Sequence, residues 1–522
     1  TLEINMRTKT RWLSLSRLAT AHRPLADSAN LQKDPRDLLV REPKGASVLG
    51  WLGGAMMVAA LAGCVGGGDD SGRQAPRTPV PTVEVAPSQG TALNATSLDL
   101  AASGYTEGEY ILKGTASRYR VKDEMSDAEL IDSGHPYVTR VIVRRPTDPA
   151  KFNGTVVVEW LNVTTGQDID IIFASTRELL LREGYAYVGA TVQRAGAQQL
   201  AQWNPARYGN LSFEADKLDP ATDEELDPAR FPSIGGDVLS SDVFSQISAA
   251  VTAPSSPLMG GLAVKRVIAS GESQSAVKLT SYYNNFHALH KAYDGYFFYD
   301  RAGRLRTGLG AKSVSIATEF SNGNSAADTE DHRWWEIAGA AHVSLAELDG
   351  YLDPIIKRDG FFRAPDNTAL SLTEVITGLN CGQTPIWSRV PNADYLKAAL
   401  KSLNGWIQGG AAVPTAPRVV LDGSNGMLRD ASGRVFGGIR SAEYDAPKSD
   451  TVGRNSGHTF CVLAGSHHDY TPQQMCQRYG SHESYVAQVQ AFVSSNRMDG
   501  FLLPEEAERT IEEAKAATFT CS

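Results

Sequence analysis

Ser273 is the residue whose sequence surroundings most clearly predict chemistry. It lies in Gly271-Glu-Ser-Gln-Ser275, between an apolar run that ends at Ala269 and a segment, 276–290, that is long enough for a helix. A serine hydroxyl is a weak nucleophile unless a strained turn holds it beside a base, and small neighbours permit such a turn. The pattern therefore predicts a nucleophile elbow, although ordinary strand-to-helix turns share it. We expect Ser275 to be a packing residue.

A catalytic serine needs a base that accepts its proton and an acid that orients the base. His342 follows a predicted strand on a loop of small residues, and we expect it to be the base. Glu319 ends an earlier predicted strand and is the expected acid, with Asp328 and Glu330 as alternatives. The chain order of Ser273, Glu319 and His342 is the serine, acid, histidine order of α/β-hydrolases.

Acyl transfer also requires hydrogen-bond donors for the oxyanion that develops on the substrate, and these are usually two backbone amides. The amide of Gln274, directly after the nucleophile, is the first expected donor. The second should come from the loop after the strand 154–160, where Asn162 and Val163 are the best placed.

These residues need a scaffold, and the sequence predicts an α/β fold. The predicted strands are 110–119, 136–145, 154–160, 186–192, 264–269, 295–300, 314–320 and 334–338. The first two alternate polar and apolar residues, as half-exposed antiparallel edge strands do, and the later ones are nearly continuous in apolar residues. Predicted helices at 169–183, 243–253 and 276–290 separate the later strands, which indicates a mostly parallel sheet with helices on both faces.

More residues follow His342 than such a core needs. The segments 395–409, 485–496 and 504–516 are helical in pattern, and 418–421 is a short predicted strand. We interpret 194–240 and 343–522 as containing cap elements over the strand ends. The elements after His342 either close the substrate pocket or only pack against the core.

Several motifs resemble those of one protein family. They are Arg144-Arg-Pro146, Val157-Val-Glu-Trp-Leu-Asn-Val163, Gly271-Glu-Ser-Gln-Ser275, Trp335-Glu-Ile-Ala-Gly-Ala-Ala-His342 and Arg429-Asp-Ala-Ser-Gly-Arg-Val-Phe-Gly-Gly-Ile-Arg440. From about residue 93 to 518 the chain resembles the α/β-hydrolase domain family of secreted bacterial and fungal esterase-like proteins. The resemblance implies an α/β-hydrolase fold with Ser273 as nucleophile and His342 as base. It implies a reaction class and no particular substrate.

The N-terminal part predicts export. Residues 46–64 contain an uncharged apolar run after basic residues, and Leu61-Ala-Gly-Cys64 resembles a bacterial lipobox, in which the cysteine is lipidated. An uncleaved membrane anchor is the alternative. We expect residues 1–45 to be absent from the mature protein, residues 65–90 to be a flexible linker rich in glycine and proline, and residues 91–522 to form the hydrolase domain.

Composition argues against several other classes of function. The net charge of −9 would repel nucleic acid. His287 and His290 share a helix face, and His467 and His468 adjoin Asp469, but neither group has the spacing of a closed zinc site. No nucleotide-binding glycine fingerprint follows a predicted strand, so we expect no cofactor and no metal.

Four cysteines follow the lipobox, and an even number in an exported chain favours two disulfides. Three connectivities are possible. We expect Cys461 to pair with Cys476 and Cys381 with Cys521; four free thiols are the alternative.

Together these patterns predict an extracytoplasmic serine hydrolase, lipid-anchored to the bacterial cell envelope or secreted, that acts on a small or polymeric ester. An acyltransferase with the same triad and a non-catalytic binding lipoprotein are the alternatives.

The lipobox leads to a direct test. Intact-mass analysis of the membrane fraction should find a chain that begins at lipidated Cys64, and Cys64→Ser should release the protein from the membrane. Recovery of residues 1–45 in the mature protein would contradict the prediction.

Overall fold

The computed structural model describes residues 77–213, 215, 237–300, 303–321, 326–423, 426–458 and 460–521. Cys64, the predicted signal and most of the predicted linker lie outside this part of the chain, as do residues 216–236 of the predicted cap. Among the described helices, none combines the length and the apolar character that crossing a membrane requires.

A ten-stranded sheet forms the centre of the structure. Its strands are β1 (Thr82–Val85), β2 (Tyr105–Arg120), β3 (Glu129–Pro146), β4 (Thr155–Trp160), β5 (Ala186–Ala190), β6 (Ser212–Phe213), β7 (Arg266–Glu272), β8 (Gly295–Tyr299), β9 (Lys312–Ala317) and β10 (His332–Glu336). The order across the sheet is β1-β2-β3-β5-β4-β7-β8-β9-β10, and β6 pairs with β3. From β5 to β10 in this order, adjacent strands are parallel to each other. β3 is antiparallel to both β2 and β5, and β1 is antiparallel to β2.

Helices cover the sheet and fill the C-terminal part. They are α1 (Ile171–Arg182), α2 (Arg194–Trp203), α3 (Pro205–Tyr208), α4 (Ser240–Thr252), α5 (Gln274–His290), α6 (Leu345–Glu347), α7 (Asp353–Asp359), α8 (Leu372–Thr377), α9 (Asn392–Ile407), α10 (Ala442–Asp445), α11 (Cys461–Ala464), α12 (Pro472–Tyr479), α13 (His482–Met498) and α14 (Pro504–Ala516). Short strands pair outside the main sheet: β11 (Phe362–Arg363) with β12 (Ala369–Leu370), and β13 (Ser449–Val452) with β14 (Ser466–Asp469).

The parallel strands are buried on both faces, and their alternating side chains enter two separate cores. Val157 and Ile268 belong to a core that includes residues of α1 and α9. Val158 and Val267 belong to a core on the opposite face that includes residues of α4 and α5. Two-sided burial explains why these strands are nearly continuous in apolar residues. The predicted fold class, a mostly parallel sheet with helices on both faces, is confirmed.

Two expectations about the margins of the fold are wrong. β1 lies within the predicted linker and pairs with β2 along its whole length, so the folded body begins before residue 91. β1 and β5 flank the pair of β2 and β3, so this pair does not form the edge of the sheet. Helix α9 is part of the core, because Leu396 and Leu400 are fully buried in the cluster that contains Ile268. Its amphipathic pattern alone could not distinguish a core helix from a cap.

The predicted disulfide connectivity is also wrong. Cys381 pairs with Cys461, and Cys476 pairs with Cys521. Cys461 and Cys476 are close in sequence, but the strand β14 separates α11 from α12. Cys476 instead lies on α12, which packs in a C-terminal core together with the segment after α14.

The observed connectivity can be tested by peptide mapping under non-reducing conditions, which should recover Cys381 linked to Cys461. This bond closes a sequence separation of 80 residues. Replacing both cysteines by serine should lower the free energy of unfolding by roughly 2–4 kcal/mol, because a long loop regains freedom in the unfolded chain. A linked peptide of Cys461 and Cys476 would contradict the structure.

Candidate active site

Ser273 occupies a strained turn between β7 and α5. Its backbone has φ 54° and ψ −116°, a conformation that residues with side chains rarely adopt. The Ser273 amide donates to the carbonyl oxygens of Tyr299, at 2.9 Å, and Asp300, at 3.0 Å. Because these hydrogen bonds hold the turn, the hydroxyl is fixed at the carboxyl end of the strand.

The neighbours of Ser273 allow this turn and close it. A Cβ atom on Gly271 would lie 3.0 Å from the carbonyl oxygen of Ser275, so glycine allows this close approach without a shift of the neighbouring backbone. The Ser275 hydroxyl donates to the carbonyl of Glu272 at 2.8 Å and accepts from the Glu272 amide at 3.0 Å. Ser275 is therefore more than the expected packing residue, because its hydroxyl closes the elbow.

His342 lies within hydrogen-bond distance of Ser273. The Nε2 atom of His342 is 2.8 Å from the Oγ atom of Ser273, and both side chains are buried. Nδ1 of His342 contacts the carboxylate of Asp300. With Nδ1–H donating to Asp300, Nε2 is left to accept the hydrogen of the serine hydroxyl.

Asp300, and not the expected Glu319, is the carboxylate that contacts Nδ1 of His342. It follows β8 directly, with φ 48°, and its side chain is fully buried. Burial alone would raise the pKa of Asp300, but His342 and the hydroxyl of Thr318 hold it below its ordinary value. The sequence carried a signal for this residue, since Asp300 ends the predicted strand 295–300.

The expectation that Glu319 orients His342 is wrong. The Glu319 carboxylate pairs with Arg429 at 2.7 Å and accepts the amide of Gly339 at 3.0 Å. It lies beyond the end of β9, and its turn directs it to the loop that carries His342 rather than to the imidazole. Burial raises the pKa of Glu319, although Arg429 opposes this. Glu319 therefore supports the loop of the expected base.

The two alternative acids lie elsewhere. Asp328 accepts the amide of Trp334 at 2.9 Å and pairs with Arg418 at 2.7 Å. The backbone carbonyl of Glu330 accepts a hydrogen bond from Lys312 at 3.4 Å. In the described part of the chain, the hydrogen-bond and ion-pair partners of the His342 side chain are Ser273, Asp300 and Glu272, and neither alternative acid is among them.

The backbone amides of the three expected oxyanion donors differ in whether they already donate a hydrogen bond within the protein. The Asn162 amide donates to the carbonyl of Ile169 at 3.1 Å, so its N–H is already engaged and the expectation for Asn162 is wrong. Gln274 opens α5, and the first amides of a helix lack partners within the helix. Val163 follows Asn162 on the same loop. The amides of Gln274 and Val163 remain the predicted donors.

The site contains carboxylates and one imidazole, and it is not arranged as a metal centre. In the described part of the chain, no group of three or more histidine, cysteine, aspartate or glutamate side chains is placed to hold a metal ion. Here the carboxylate of Asp300 serves as a hydrogen-bond acceptor for the imidazole.

Comparison with known proteins agrees with this architecture. A family model described as an alpha/beta hydrolase domain matches residues 76–512. The chain belongs to this family. No curated protein is similar enough in sequence to count as a match.

Two solved structures illustrate the likeness at low identity. A glucuronoyl esterase from Solibacter usitatus is 9% identical with a TM-score of 0.26, over 47% of this chain and 69% of the other. A glucuronoyl esterase from Teredinibacter turnerae is 9% identical with a TM-score of 0.23, over 46% of this chain and 62% of the other. Neither likeness bears on the substrate of this hydrolase.

The two buried carboxylates can be compared by matched substitutions. Asp300→Asn should lower kcat for a p-nitrophenyl ester by about 10⁴-fold, because an amide no longer selects the productive imidazole tautomer. Glu319→Gln should mainly lower the free energy of unfolding, by about 1–3 kcal/mol, because Arg429 loses its charged partner.

Both variants should be measured for kcat and for thermal unfolding. A folded Glu319→Gln protein with the larger loss of kcat would contradict the assignment of Asp300.

Proposed function

We propose that this α/β hydrolase is a serine esterase that cleaves carboxylic esters through an acyl-enzyme. The observation that carries the proposal is the contact of 2.8 Å between Nε2 of His342 and Oγ of Ser273, with Nδ1 of His342 against the buried Asp300. This is the hydrogen-bonding order of a serine nucleophile, its base and the orienting acid.

In the proposed first step, the Oγ atom of Ser273 attacks the ester carbonyl carbon while its proton moves to Nε2 of His342. Asp300 holds the imidazole through Nδ1–H and stabilises the positive charge that forms on the ring. The carbonyl oxygen becomes an oxyanion. The tetrahedral intermediate then collapses, the bond to the alcohol oxygen breaks, and that oxygen takes the proton from Nε2.

The proposed oxyanion donors are the backbone amides of Gln274 and Val163. Gln274 lies at the N-terminus of α5, where the helix dipole favours negative charge. A fixed donor in this position is worth about 3–4 kcal/mol of the activation barrier in other serine hydrolases.

In the proposed second step, water replaces the alcohol. His342 takes one proton from the water molecule, whose oxygen attacks the carbonyl carbon of the acyl-enzyme. The bond to Ser273 Oγ breaks, the proton on Nε2 returns to the serine oxygen, and the carboxylic acid leaves. The same three side chains therefore serve both halves of the reaction.

The proposed location is the bacterial cell envelope, outside the cytoplasm. Two observations support it: the lipobox that ends at Cys64, and the two disulfides, which form and persist in oxidising compartments. A small or polymeric ester outside the cytoplasm is then the proposed substrate.

A fluorophosphonate probe tests the proposed chemistry without knowledge of the natural ester. It should label the folded protein at Ser273, because only an activated serine attacks phosphorus at a useful rate. Ser273→Ala should abolish the label. Ser275→Ala retains the Ser273 hydroxyl but removes a hydroxyl that closes the elbow, so it should still label at Ser273, at a lower rate. Peptide mapping identifies the modified residue, and absence of label on folded wild-type protein would refute the proposal.

A further inference from the structure

A second carboxylate faces the expected base. The Oε1 atom of Glu272 lies 3.1 Å from Nε2 of His342, and the Glu272 side chain is buried. The side chain of Asn162 donates to the Oε2 atom of Glu272 at 2.8 Å and to its backbone carbonyl at 3.1 Å. Asn162 therefore holds one carboxylate oxygen while the other is directed at His342.

Glu272 and Ser273 approach the same nitrogen atom. Nε2 of His342 lies 2.8 Å from the hydroxyl of Ser273 and 3.1 Å from the carboxyl of Glu272. A neutral imidazole nitrogen has one lone pair and accepts one strong hydrogen bond. A proton held between Glu272 and His342, on either atom, occupies that lone pair. Ser273 can then no longer pass its own proton to Nε2.

The surrounding groups are mostly acidic. His342 is faced by Asp300 after β8, by Glu272 at the end of β7 and by Glu347 on α6. The hydroxyl of Tyr299 contacts the backbone carbonyl of His342 at 3.4 Å and the carboxyl of Glu347 at 3.2 Å. This arrangement favours retention of a proton near His342.

The pKa values of both Glu272 and His342 are raised, which agrees with a proton held between them. Burial raises the pKa of Glu272 to about 8; the imidazole of His342 opposes this shift, while Glu347 and Asp300 add to it. Burial alone would lower the pKa of His342, but Asp300 and Glu272 raise it above its ordinary value. The site therefore keeps a proton at a pH where a free histidine has lost it, and base activity is lost as the pH falls through this raised value.

We propose that Glu272 is a positioning residue that determines when His342 can act as a base: the two side chains share one proton across their contact, and its loss frees Nε2 for Ser273. The inference rests on the proposed serine hydrolase function. In the deprotonated state, transfer of the Ser273 proton creates an imidazolium between two carboxylates, Asp300 at Nδ1 and Glu272 at Nε2. That proton then passes to the leaving oxygen.

The rate of fluorophosphonate labelling at Ser273, measured against pH, tests this directly. In Glu272→Gln the midpoint of the acidic limb should move to lower pH by about one unit or more, because a carboxylate close to the imidazole is lost. Since an amide can still donate to Nε2, Glu272→Ala serves as a second variant and should move the midpoint in the same direction. Glu272→Asp retains the charge and should keep the midpoint closer to that of the wild type.

Glu159 provides a matched control. It is buried on β4, its pKa is also raised to about 8 by burial, and it accepts the amide of Ile172 at 2.9 Å and the hydroxyl of Tyr187 at 2.7 Å. Its hydrogen-bond partners among the described residues are on α1 and β5, and His342 is not one of them. Glu159→Gln should therefore leave the midpoint unchanged, even where it lowers the temperature of unfolding.

The outcomes separate the two proposals. Labelling at Ser273 with an unchanged midpoint in both Glu272→Gln and Glu272→Ala would overturn the role of Glu272 and leave the esterase proposal intact. A shift of similar size in Glu159→Gln would also overturn it, because the effect would then belong to any buried carboxylate. Failure of the folded wild-type protein to label at any pH would refute the hydrolase function and this inference together.

Discussion

A single backbone amide joins the two turns on which the site depends. The amide of Ser273 donates to the carbonyls of Tyr299 and Asp300, so the turn at Ser273 is hydrogen-bonded to the turn at Asp300. Both Ser273 and Asp300 have positive φ, at 54° and 48°, which is costly for residues with side chains. Because β7 and β8 are parallel neighbours, both turns leave the sheet at the same edge and can stabilise each other.

The loop that carries His342 depends on the C-terminal half of the chain. Glu319 accepts the amide of Gly339 and pairs with Arg429, which lies in the segment after α9. The side chain of Asn392, at the start of α9, donates to the carbonyl of Ala341 at 2.6 Å and to the hydroxyl of Tyr299 at 2.8 Å. The residues beyond the sheet therefore help to build the site, and α9 does so from within the core.

The sequence and the structure agree where the signal is local. The elbow at Ser273 follows from small residues between a strand pattern and a helix pattern, and His342 from a loop after a late strand. The prediction that Glu319 is the acid is wrong because Glu319 and Asp300 both lie near strand ends, and local pattern does not distinguish them. The predicted disulfide connectivity is wrong for the same reason, since local pattern does not show which of the four cysteines meet.

By itself the sequence determined the strands and helices of the core, the two-sided burial of the parallel sheet and the positions of Ser273 and His342. These depend on side-chain periodicity and on turn residues, which act over a few positions. Only the tertiary structure decided that Asp300, 42 residues before His342, is its partner, and that Glu272 faces the same imidazole from the other side. The reason is that the order of parallel strands and the direction of each turn decide which distant carboxylates meet.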